Sequence, residues 1–278
     1  MINTNLKNLI LEIKSNVDKR ISELIQNNEE KLTNAIKYSL LCNGKRLRPL
    51  LIIETARSLN CEYNENPDIL TVACAIEMIH IFSLIHDDLP CMDNDNYRRG
   101  ELTCHKKFNE YDALLAGDSL IALCFETIIT KTKHLNFEEK CKIIEVISKA
   151  IGYQGMCLGQ SLDIEFEKNK KSKSSDEAEK INILKTGFLF KACVEIGCIL
   201  GKANKCQQEA LINYSINFGK AFQLADDIKD NEINSSEIEN VKGRILNLIK
   251  NCNDNLEKLN NNKGINNLKL LTNYCFIV

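Results

Sequence analysis

The sequence contains few residues that interrupt helices, and its apolar side chains recur at helical spacing almost from end to end. Only 3 Pro and 12 Gly occur among 278 residues, and no stretch alternates with the period of two that marks a half-buried strand. Residues 69–85 are apolar on nearly all sides, which is typical of a helix buried inside a bundle. The sequence therefore predicts an all-α fold, a single bundle of long helices.

The helical pattern breaks at three places, residues 64–67, 90–100 and 168–179. The third break is rich in Lys, Ser and Glu, as solvated loops and frayed helix ends often are. None of the three has the character of a linker, and the sequence contains no repeat. We therefore expect one domain over residues 1–278.

Charge and cysteine content exclude several classes of protein. A formal net charge of -2 gives no long-range attraction to nucleic acid, whose binders usually carry a basic patch. We identify neither the apolar core of a secretory signal nor an apolar run long enough to cross a bilayer. The 13 Cys include no Cys-x-x-Cys pair, so we expect reduced thiols in a cytoplasmic protein.

The most informative motif is an acidic run, Asp87-Asp88-Leu89-Pro90-Cys91-Met92-Asp93-Asn94-Asp95. Its carboxylates would repel one another unless a cation lay between them, and hard oxygen ligands suit Mg²⁺, which commonly bridges to substrate phosphates. Because Pro90 cannot continue the preceding helix, Asp93 is expected to fold back towards Asp87. Taken alone, however, the run is better explained as an acidic surface turn.

A second acidic cluster, Asp226-Asp227-Ile228-Lys229-Asp230, argues against that simpler explanation. Asp226 and Asp230 are four residues apart, on one face of an otherwise apolar helix. Two such groups can face each other across a bundle, hold several magnesium ions and clamp a diphosphate between them. The predicted metal ligands are Asp87, Asp88, Asp93, Asp226, Asp227 and Asp230.

Three basic groups accompany the acidic clusters. Lys45 and Arg48 lie three residues apart before Pro49, and Arg98-Arg99 directly follows the first acidic run. Lys185-Thr186-Gly187 interrupts an apolar helix, where the glycine can permit a kink. Since Arg binds phosphate oxygens through paired hydrogen bonds and Lys acts as a mobile point charge, these groups predict diphosphate binding.

Two histidines precede the first acidic run. His80 and His86 are six residues apart, a poor spacing for two ligands on one helix face, so we reject a zinc site. His86 is expected to be a packing histidine. His80 either donates to a diphosphate or has a buried structural role.

In their combination and order, these motifs resemble the trans-prenyl diphosphate synthases of the farnesyl and geranylgeranyl type. The matching segments are Gly44–Pro49, His80, Asp87–Asp95, Arg98–Gly100, Ala116–Asp118, Gly159–Asp163, Lys185–Gly187 and Phe222–Asp230. The resemblance implies an isoprenoid synthase fold with a central cavity, usually a homodimer, and three magnesium ions per site, with manganese as the alternative ion. It implies condensation of isopentenyl diphosphate with dimethylallyl or geranyl diphosphate, mainly to farnesyl diphosphate, with geranylgeranyl diphosphate synthesis as the alternative.

The resemblance also implies roles for individual residues. The diphosphate of isopentenyl diphosphate would be held by Lys45, Arg48, His80 and Arg99. The allylic diphosphate would be held by Arg98, Lys185, Thr186 and Gln223. The catalytic set would be Asp87, Asp93, Arg98, Lys185 and Asp226. The small residues of Ala116–Asp118, together with Gly152, Gly155 and Gly159, are expected to allow close helix packing and have no chemical role.

Product length is expected to depend on the helix turn before the first acidic run. Ser83 lies about 5.4 Å deeper than Asp87 along a helix, with Phe82 beside it. A large aromatic residue at this position resembles the floor of a farnesyl-type tunnel. We therefore expect Phe82 and Ser83 to stop chain growth at farnesyl length.

One segment departs from the family pattern. The family usually continues after the second acidic cluster with a basic lid loop and a Lys-x-Thr-Tyr segment, whereas Asn231–Asn240 contains no Lys or Arg. This departure favours a rival interpretation, a weakly active subunit that regulates another synthase. A terpene cyclase is a further rival, but it needs neither Lys45 and Arg48 nor a second full acidic cluster.

Overall fold

The computed structural model describes residues 4–25, 28–169, 175–229, 233 and 236–276. Regular structure in these ranges is almost entirely helical, which confirms the all-α prediction. The helices are α1 Thr4–Leu24, α2 Lys31–Leu41, α3 Leu47–Ser58, α4 Asp68–Asp87, α5 Cys104–Lys107, α6 Glu110–Lys131, α7 Phe137–Ile151, α8 Met156–Lys168, α9 Ser175–Asn182, α10 Phe188–Leu200, α11 Lys205–Lys229, α12 Ile238–Leu256 and α13 Lys263–Thr272. A π-helical turn, Ile183–Gly187, joins α9 to α10, and a 3₁₀ turn, Asn273–Phe276, follows α13.

A small hairpin occupies the break after α4. Strands β1 (Tyr97–Arg98) and β2 (Glu101–Leu102) pair antiparallel, with Arg98 opposite Glu101. The two connecting residues, Arg99 and Gly100, have positive φ angles of 56° and 85°, as in tight turns that match the twist of paired strands. The sequence gives no sign of this hairpin, because strands of two residues are too short to show a periodic pattern.

Two of the predicted breaks lie between helices, since residues 64–67 separate α3 from α4, and residues 90–100 separate α4 from α5. The third prediction, a break over residues 168–179, is wrong for residues 175–179, which belong to α9. There α8 ends at Lys168, and residues 170–174 lie outside the described part of the chain. The periodicity therefore located the helices well where the structure describes them.

The chain divides into two compact units, and each is assembled from separate stretches of sequence. The acidic-loop unit comprises Ile10–Leu50 and Tyr63–Lys140. The α11 unit comprises Met1–Leu9, Leu51–Glu62 and Cys141–Val278. The expectation of one domain over the whole chain stays a prediction.

The core of the acidic-loop unit is α4, which packs against α6 and α2. Nearly all side chains from Ile69 to Ile79 are buried, as the all-round apolar sequence predicts. The buried guanidinium of Arg46 donates hydrogen bonds to Glu77 Oε1 at 2.9 Å and to Asp18 Oδ1 at 2.7 Å. Because removal of one partner of a buried ion pair typically costs about 3–5 kcal/mol, Arg46 has a structural role.

The α11 unit is organised around α11, which packs against α10 and α12. Phe190 of α10 meets Phe218 and Phe222 edge-on, with ring centroids 5.4 and 5.1 Å apart, and Tyr214 stacks on Phe218 at 5.9 Å. Such aromatic pairs contribute about 0.5–1.5 kcal/mol each beyond the area that they bury. This cluster supports the helix whose carboxyl-terminal end carries the second acidic cluster.

Among the described helices, α4 and α6 are long and apolar enough to cross a bilayer, as judged by length and composition alone. The sequence had led us to expect no apolar run of that length. The most apolar 18-residue window of α4 is 78% buried, as in the core helix of a globular protein, and that of α6 is 39% buried. Since core helices of soluble proteins pass the same test, these two helices are weak evidence for a membrane span.

Candidate active site

The first acidic run forms a loop that folds back on the end of α4. The backbone N–H of Asp93 donates to the carbonyl oxygen of Asp87 at 2.9 Å, and that of Asn94 donates to Leu89 at 3.1 Å. This return confirms the fold-back expected from Pro90. Asn94 accommodates the reversal with a φ of 55°, a left-handed conformation that asparagine tolerates better than most residues. The loop thus brings the backbones of Asp87 and Asp93 together.

Asp88 pairs with Arg98 of the hairpin. Arg98 Nε donates to Asp88 Oδ1 at 2.6 Å, and its Nη2 donates to Asp95 Oδ2 at 3.3 Å. Burial raises the pKa of the Asp88 carboxyl to about 6, although the Arg98 charge and hydrogen bond act in the opposite direction. Sequence reasoning made Asp88 a metal ligand and missed this pairing, because the two residues are ten apart and meet only through the hairpin. In this structure Asp88 fixes the position of Arg98.

Arg99 leaves the hairpin turn towards His80 of α4. Arg99 Nη2 lies 3.3 Å from His80 Nε2, and since a guanidinium only donates, Nε2 is the acceptor and the ring proton lies on Nδ1. Burial, and then the charges of Arg48, Arg99 and other arginines, hold the pKa of His80 well below its usual value. His80 is therefore neutral, and its Nδ1 has no hydrogen-bond partner among the described residues.

The space for Arg99 depends on Gly44. A Cβ atom at residue 44 would lie 3.2 Å from Arg99 Cζ and closer still to Nη1. Glycine at this position thus leaves room for the Arg99 side chain, which a Cβ atom would displace. Within the same motif Lys45 is exposed, whereas Arg48 lies near enough to influence the pKa of His80. The structure therefore groups Arg48, His80 and Arg99, as the predicted diphosphate site requires.

The predicted chain-length residues lie in the last turns of α4. Phe82 is 6% exposed, and its ring meets that of His86 edge-on at 5.5 Å. Ser83 donates to the backbone carbonyl of His80 at 2.8 Å. His86 Nε2 lies 3.1 Å from the carbonyl oxygen of Leu114, and a Cβ atom at Gly117 would overlap the His86 ring. These contacts confirm that His86 is a packing histidine and that Gly117 allows close packing of α6 against α4.

The second acidic cluster lies at the end of α11, in the α11 unit. Asp226 and Asp227 are half-buried, and Gln223 Nε2 donates to Asp227 Oδ1 at 2.8 Å. Asp230, the third predicted ligand of this cluster, lies outside the described residues, as do residues 231, 232, 234 and 235 of the segment that follows. The Gln223–Asp227 pair joins two of the predicted site residues on one helix.

Lys185 and Thr186 lie in the π-helical turn, which confirms the local distortion expected beside Gly187. Wide turns of this kind frequently occur at functional sites. Lys185 Nζ lies 2.8 Å from Asp163 Oδ2 on α8, and a Cβ atom at Gly159 would lie 2.6 Å from the Lys185 backbone nitrogen. Sequence reasoning gave Asp163 no role, although its spacing of four from Gly159 places both on one face of α8.

The glycines after α7 have a different function from the one expected. A Cβ atom at Gly152 would lie 2.7 Å from the carbonyl oxygen of Ser148, and one at Gly155 would overlap the carbonyl oxygen of Ala150. At both positions, backbone atoms of the last turn of α7 leave no room for a side chain. Gly159 fits the predicted role in packing between elements, whereas Gly152 and Gly155 allow the chain to turn out of α7.

The chemistry of the acidic residues fits magnesium. Among the described residues, no group of three or more His, Cys, Asp or Glu side chains is arranged so that it could hold a metal ion. Magnesium usually takes one or two protein carboxylates, and waters and substrate phosphates complete its shell. The carboxylates of Asp87 and Asp93 in the acidic-loop unit are oxygen donors of this kind, and so, in the α11 unit, is that of Asp226.

Comparison with known proteins agrees with this geometry. Residues 29–247 match the family model "Polyprenyl synthetase". A farnesyl diphosphate synthase from Haemophilus influenzae is 44% identical over 82% of this chain and 76% of its own length. A chloroplastic geranylgeranyl pyrophosphate synthase from Capsicum annuum is 38% identical over 87% of this chain and 65% of its own length. The crystal structure of an FPP/GFPP synthase from Zymomonas mobilis has a TM-score of 0.89 at 33% identity and covers 97% of this chain and 98% of that one.

Proposed function

The chain belongs to the polyprenyl synthetase family, and on this premise we propose that it joins isopentenyl diphosphate to dimethylallyl or geranyl diphosphate and releases mainly farnesyl diphosphate. The observation that carries the proposal is the placement of two adjacent arginines. Arg98 reaches the acidic loop through Asp88, and Arg99 reaches His80. One hairpin thus supplies two cations, Arg98 beside a carboxylate of the acidic loop and Arg99 beside His80, and this arrangement supports the binding of two diphosphate groups with magnesium.

Isopentenyl diphosphate binds to the basic group of the acidic-loop unit. Lys45, Arg48 and Arg99 provide its positive charges, and Arg side chains can form paired hydrogen bonds with phosphate oxygens. His80 stays neutral because burial and the surrounding arginines hold its pKa well below the usual value. Its contact with Arg99 fixes the guanidinium, which makes His80 a positioning residue as well as a ligand contact.

The allylic diphosphate is held by Arg98, Lys185, Thr186 and Gln223. Asp163 and Asp88 position Lys185 and Arg98 through ion pairs of 2.8 and 2.6 Å. When bound, magnesium neutralises the charge that gathers on the departing diphosphate and acts as a Lewis acid. The carbon–oxygen bond of the allylic substrate breaks, the double bond of isopentenyl diphosphate forms the new carbon–carbon bond, and a proton is lost.

The proposed magnesium ligands are Asp87, Asp93 and Asp226. Asp88 and Asp227 were also predicted as ligands, but their hydrogen bonds with Arg98 and Gln223 favour a positioning role. Asp230 remains a predicted ligand outside the described residues. Three ions at each site, with manganese as the alternative, fit a diphosphate that supplies part of each coordination shell.

Phe82 supports farnesyl diphosphate as the main product. Its ring is almost fully buried one turn before the acidic loop and is fixed against His86. We expect a fixed aromatic ring at this depth to block a longer chain, so that growth stops at farnesyl length. An enzyme that makes geranylgeranyl diphosphate would need this ring to be displaced.

A homodimer is supported by the outer face of α6. Four large apolar side chains of this helix are between 44% and 62% exposed, namely Tyr111, Leu114, Leu115 and Ile129. Burial of such side chains against a second copy would contribute about 25 cal/mol per Å² of apolar surface. The 13 cysteines are free thiols, which fits a reducing, cytoplasmic location.

A product assay tests the proposed activity. Purified protein receives magnesium, labelled isopentenyl diphosphate and each allylic starter in turn, and we expect farnesyl diphosphate as the main product. The product should disappear with chelator and with Asp87→Ala, while Asp254→Ala, which replaces an exposed aspartate of α12, should retain activity. Folded wild-type protein that extends no starter would contradict the proposal and favour the regulatory subunit.

A further inference from the structure

The hairpin of β1 and β2 carries Arg98 and Arg99, yet burial of its own strands does little to hold it in place. Each strand has only two residues, and an isolated hairpin is at best marginally stable in water. The pair of residues farther from the turn is exposed, Tyr97 by 67% and Leu102 by 37%. Contacts outside the two strands are therefore needed to keep the arginines in position.

Tyr38 of α2 holds the second strand of the hairpin. Its hydroxyl donates to the backbone carbonyl oxygen of Leu102 at 2.7 Å. The Tyr38 ring is fixed by Phe108, which meets it edge-on with ring centroids 5.7 Å apart, and by Lys107, whose Nζ lies 5.9 Å from the ring centroid. Since α2 itself packs against α4 and α6, this hydrogen bond ties an exposed strand to the core of the acidic-loop unit.

Thr103 closes the base of the hairpin with the help of His105. The Thr103 backbone N–H donates to the carbonyl oxygen of Asn96 at 3.1 Å, and its hydroxyl donates to that of Asp95 at 2.8 Å. His105 Nδ1 lies 3.1 Å from the same hydroxyl. Because the hydroxyl gives its only proton to a carbonyl, which can only accept, Nδ1 carries the ring proton and donates it to the hydroxyl oxygen. His105 therefore fixes the direction in which the hydroxyl points.

These hydrogen bonds lie where water has little access. Thr103 is 2% exposed and His105 is 6% exposed. His105 Nε2 has no hydrogen-bond partner among the described residues, so the ring acts on the hairpin through Nδ1. Removal of one member of a buried chain of hydrogen bonds leaves a polar group without its partner, which costs more than the bond itself contributes.

The charges on the hairpin tend to displace it. Burial and then the charges of four arginines lower the pKa of His80, and two of the four are the adjacent Arg98 and Arg99. Asp88 pairs with Arg98 and offsets part of this charge. Since like charges at short range repel, the remaining positive charge favours outward movement of the hairpin until an anion binds. The contacts at its base oppose this movement.

We propose that Tyr38, Thr103 and His105 form a hairpin clamp, a set of positioning residues that holds Arg98 and Arg99 ready for the two diphosphates. The inference rests on the proposed function, because the two arginines bind the substrates there. The clamp acts through the hairpin and needs no contact with a substrate. A diphosphate binds only to a hairpin in the held position, so its apparent affinity falls in proportion to the fraction of hairpins that are held.

Steady-state elongation with each substrate varied in turn tests the clamp. Tyr38→Phe and Thr103→Val each remove a hydroxyl with little change of shape, and each should raise KM for both diphosphates about tenfold. Thr103→Ser keeps the hydroxyl and should return both values to those of the wild-type protein. Tyr63→Phe and Thr130→Val are matched controls, which remove hydroxyls elsewhere in the acidic-loop unit and should change neither KM.

A merely structural role would give a different pattern. His105→Asn keeps a donor nitrogen near the position of Nδ1 and should retain normal KM values, whereas His105→Leu, of the same shape as the asparagine variant, should raise both. Asp68→Asn alters the opposite end of α4 and should lower stability without changing either KM. If Asp68→Asn raised both KM values as much as Thr103→Val does, loss of stability would explain the effect and the clamp would be overturned.

Amide hydrogen exchange separates the clamp from the proposed activity. In protein without substrate, mass spectrometry of a peptide that spans residues 96–103 measures opening of the hairpin. Exchange should be about tenfold faster in Tyr38→Phe and Thr103→Val than in the wild-type protein, and unchanged in Tyr63→Phe. If elongation is absent but exchange follows these variants, the clamp stands and the proposed function fails. If the wild-type protein elongates and the folded Tyr38→Phe and Thr103→Val variants keep normal KM values, the clamp fails alone, whatever their exchange.

Discussion

Replacement of Gly44 by alanine is expected to weaken the binding of isopentenyl diphosphate without unfolding the protein. The new Cβ atom would lie 3.2 Å from Arg99 Cζ and closer to Nη1, so the guanidinium must move. Arg99 can move because it is an exposed, flexible side chain. Arg46 is held by its hydrogen bonds to Glu77 and Asp18. Its Nη1 would lie 3.2 Å from the new atom, so the side chain needs to shift by only a few tenths of an ångström.

The size of the effect follows from the contacts that Arg99 would lose. Its 3.3 Å contact with His80 would break, and the guanidinium would leave the diphosphate. A hydrogen bond to a charged group contributes about 1.5–3 kcal/mol. Loss of one such bond raises KM for isopentenyl diphosphate by roughly 10- to 100-fold. KM for the allylic substrate should change little, because Arg98 keeps its pairing with Asp88.

The assay is steady-state elongation with each substrate varied in turn, accompanied by thermal unfolding. Gly243→Ala is the matched control, because a Cβ atom at this position of α12 would meet nothing within 4 Å. This control should leave both KM values unchanged and raise stability by about 1 kcal/mol, since alanine favours helices over glycine. A normal KM for isopentenyl diphosphate in folded Gly44→Ala protein, together with a raised KM in Arg99→Ala, would refute the steric argument.

Three further predictions concern other parts of the molecule. Phe82→Ala should lengthen the product beyond farnesyl, and mass spectrometry that finds only farnesyl diphosphate would show that Phe82 is not the floor. Asp68 accepts hydrogen bonds from three backbone N–H groups at 2.6–3.0 Å, which lower its pKa despite burial. Urea unfolding of Asp68→Asn should show a loss of about 2 kcal/mol at pH 7. This difference should persist above the unfolded pKa near 4 and shrink as pH falls through the lower folded pKa, and a pH-independent difference would contradict the reasoning. Asp163→Asn should raise KM for the allylic substrate about tenfold by freeing Lys185, with KM for isopentenyl diphosphate unchanged, and the reverse pattern would exclude this role.

Much of the fold and part of the site could be predicted because the signals are local. The continuous apolar character of residues 69–85 specified α4, since a helix buried inside a bundle is apolar on all sides. Pro90 specified the return of the acidic loop, and the short-range backbone contact between Asp93 and Asp87 confirms it. Glycine beside Lys185 indicated a distortion, which the structure forms as a π-helical turn. In each case the cause lies within a few residues of its effect.

The sequence alone determined which residue types are available for metal and diphosphate, and in what order, whereas only the tertiary structure decided their partners. Arg46 and Arg48 are neighbours in one motif, yet Arg46 is buried between Glu77 and Asp18 while Arg48 influences His80. Asp88 pairs with Arg98 because the hairpin returns the chain to α4. Burial and pairing depend on elements distant in sequence, and a buried charge requires a partner that only packing can supply. The local sequence pattern therefore indicates which chemistry is possible, and packing decides whether each charged group binds a ligand or stabilises the fold.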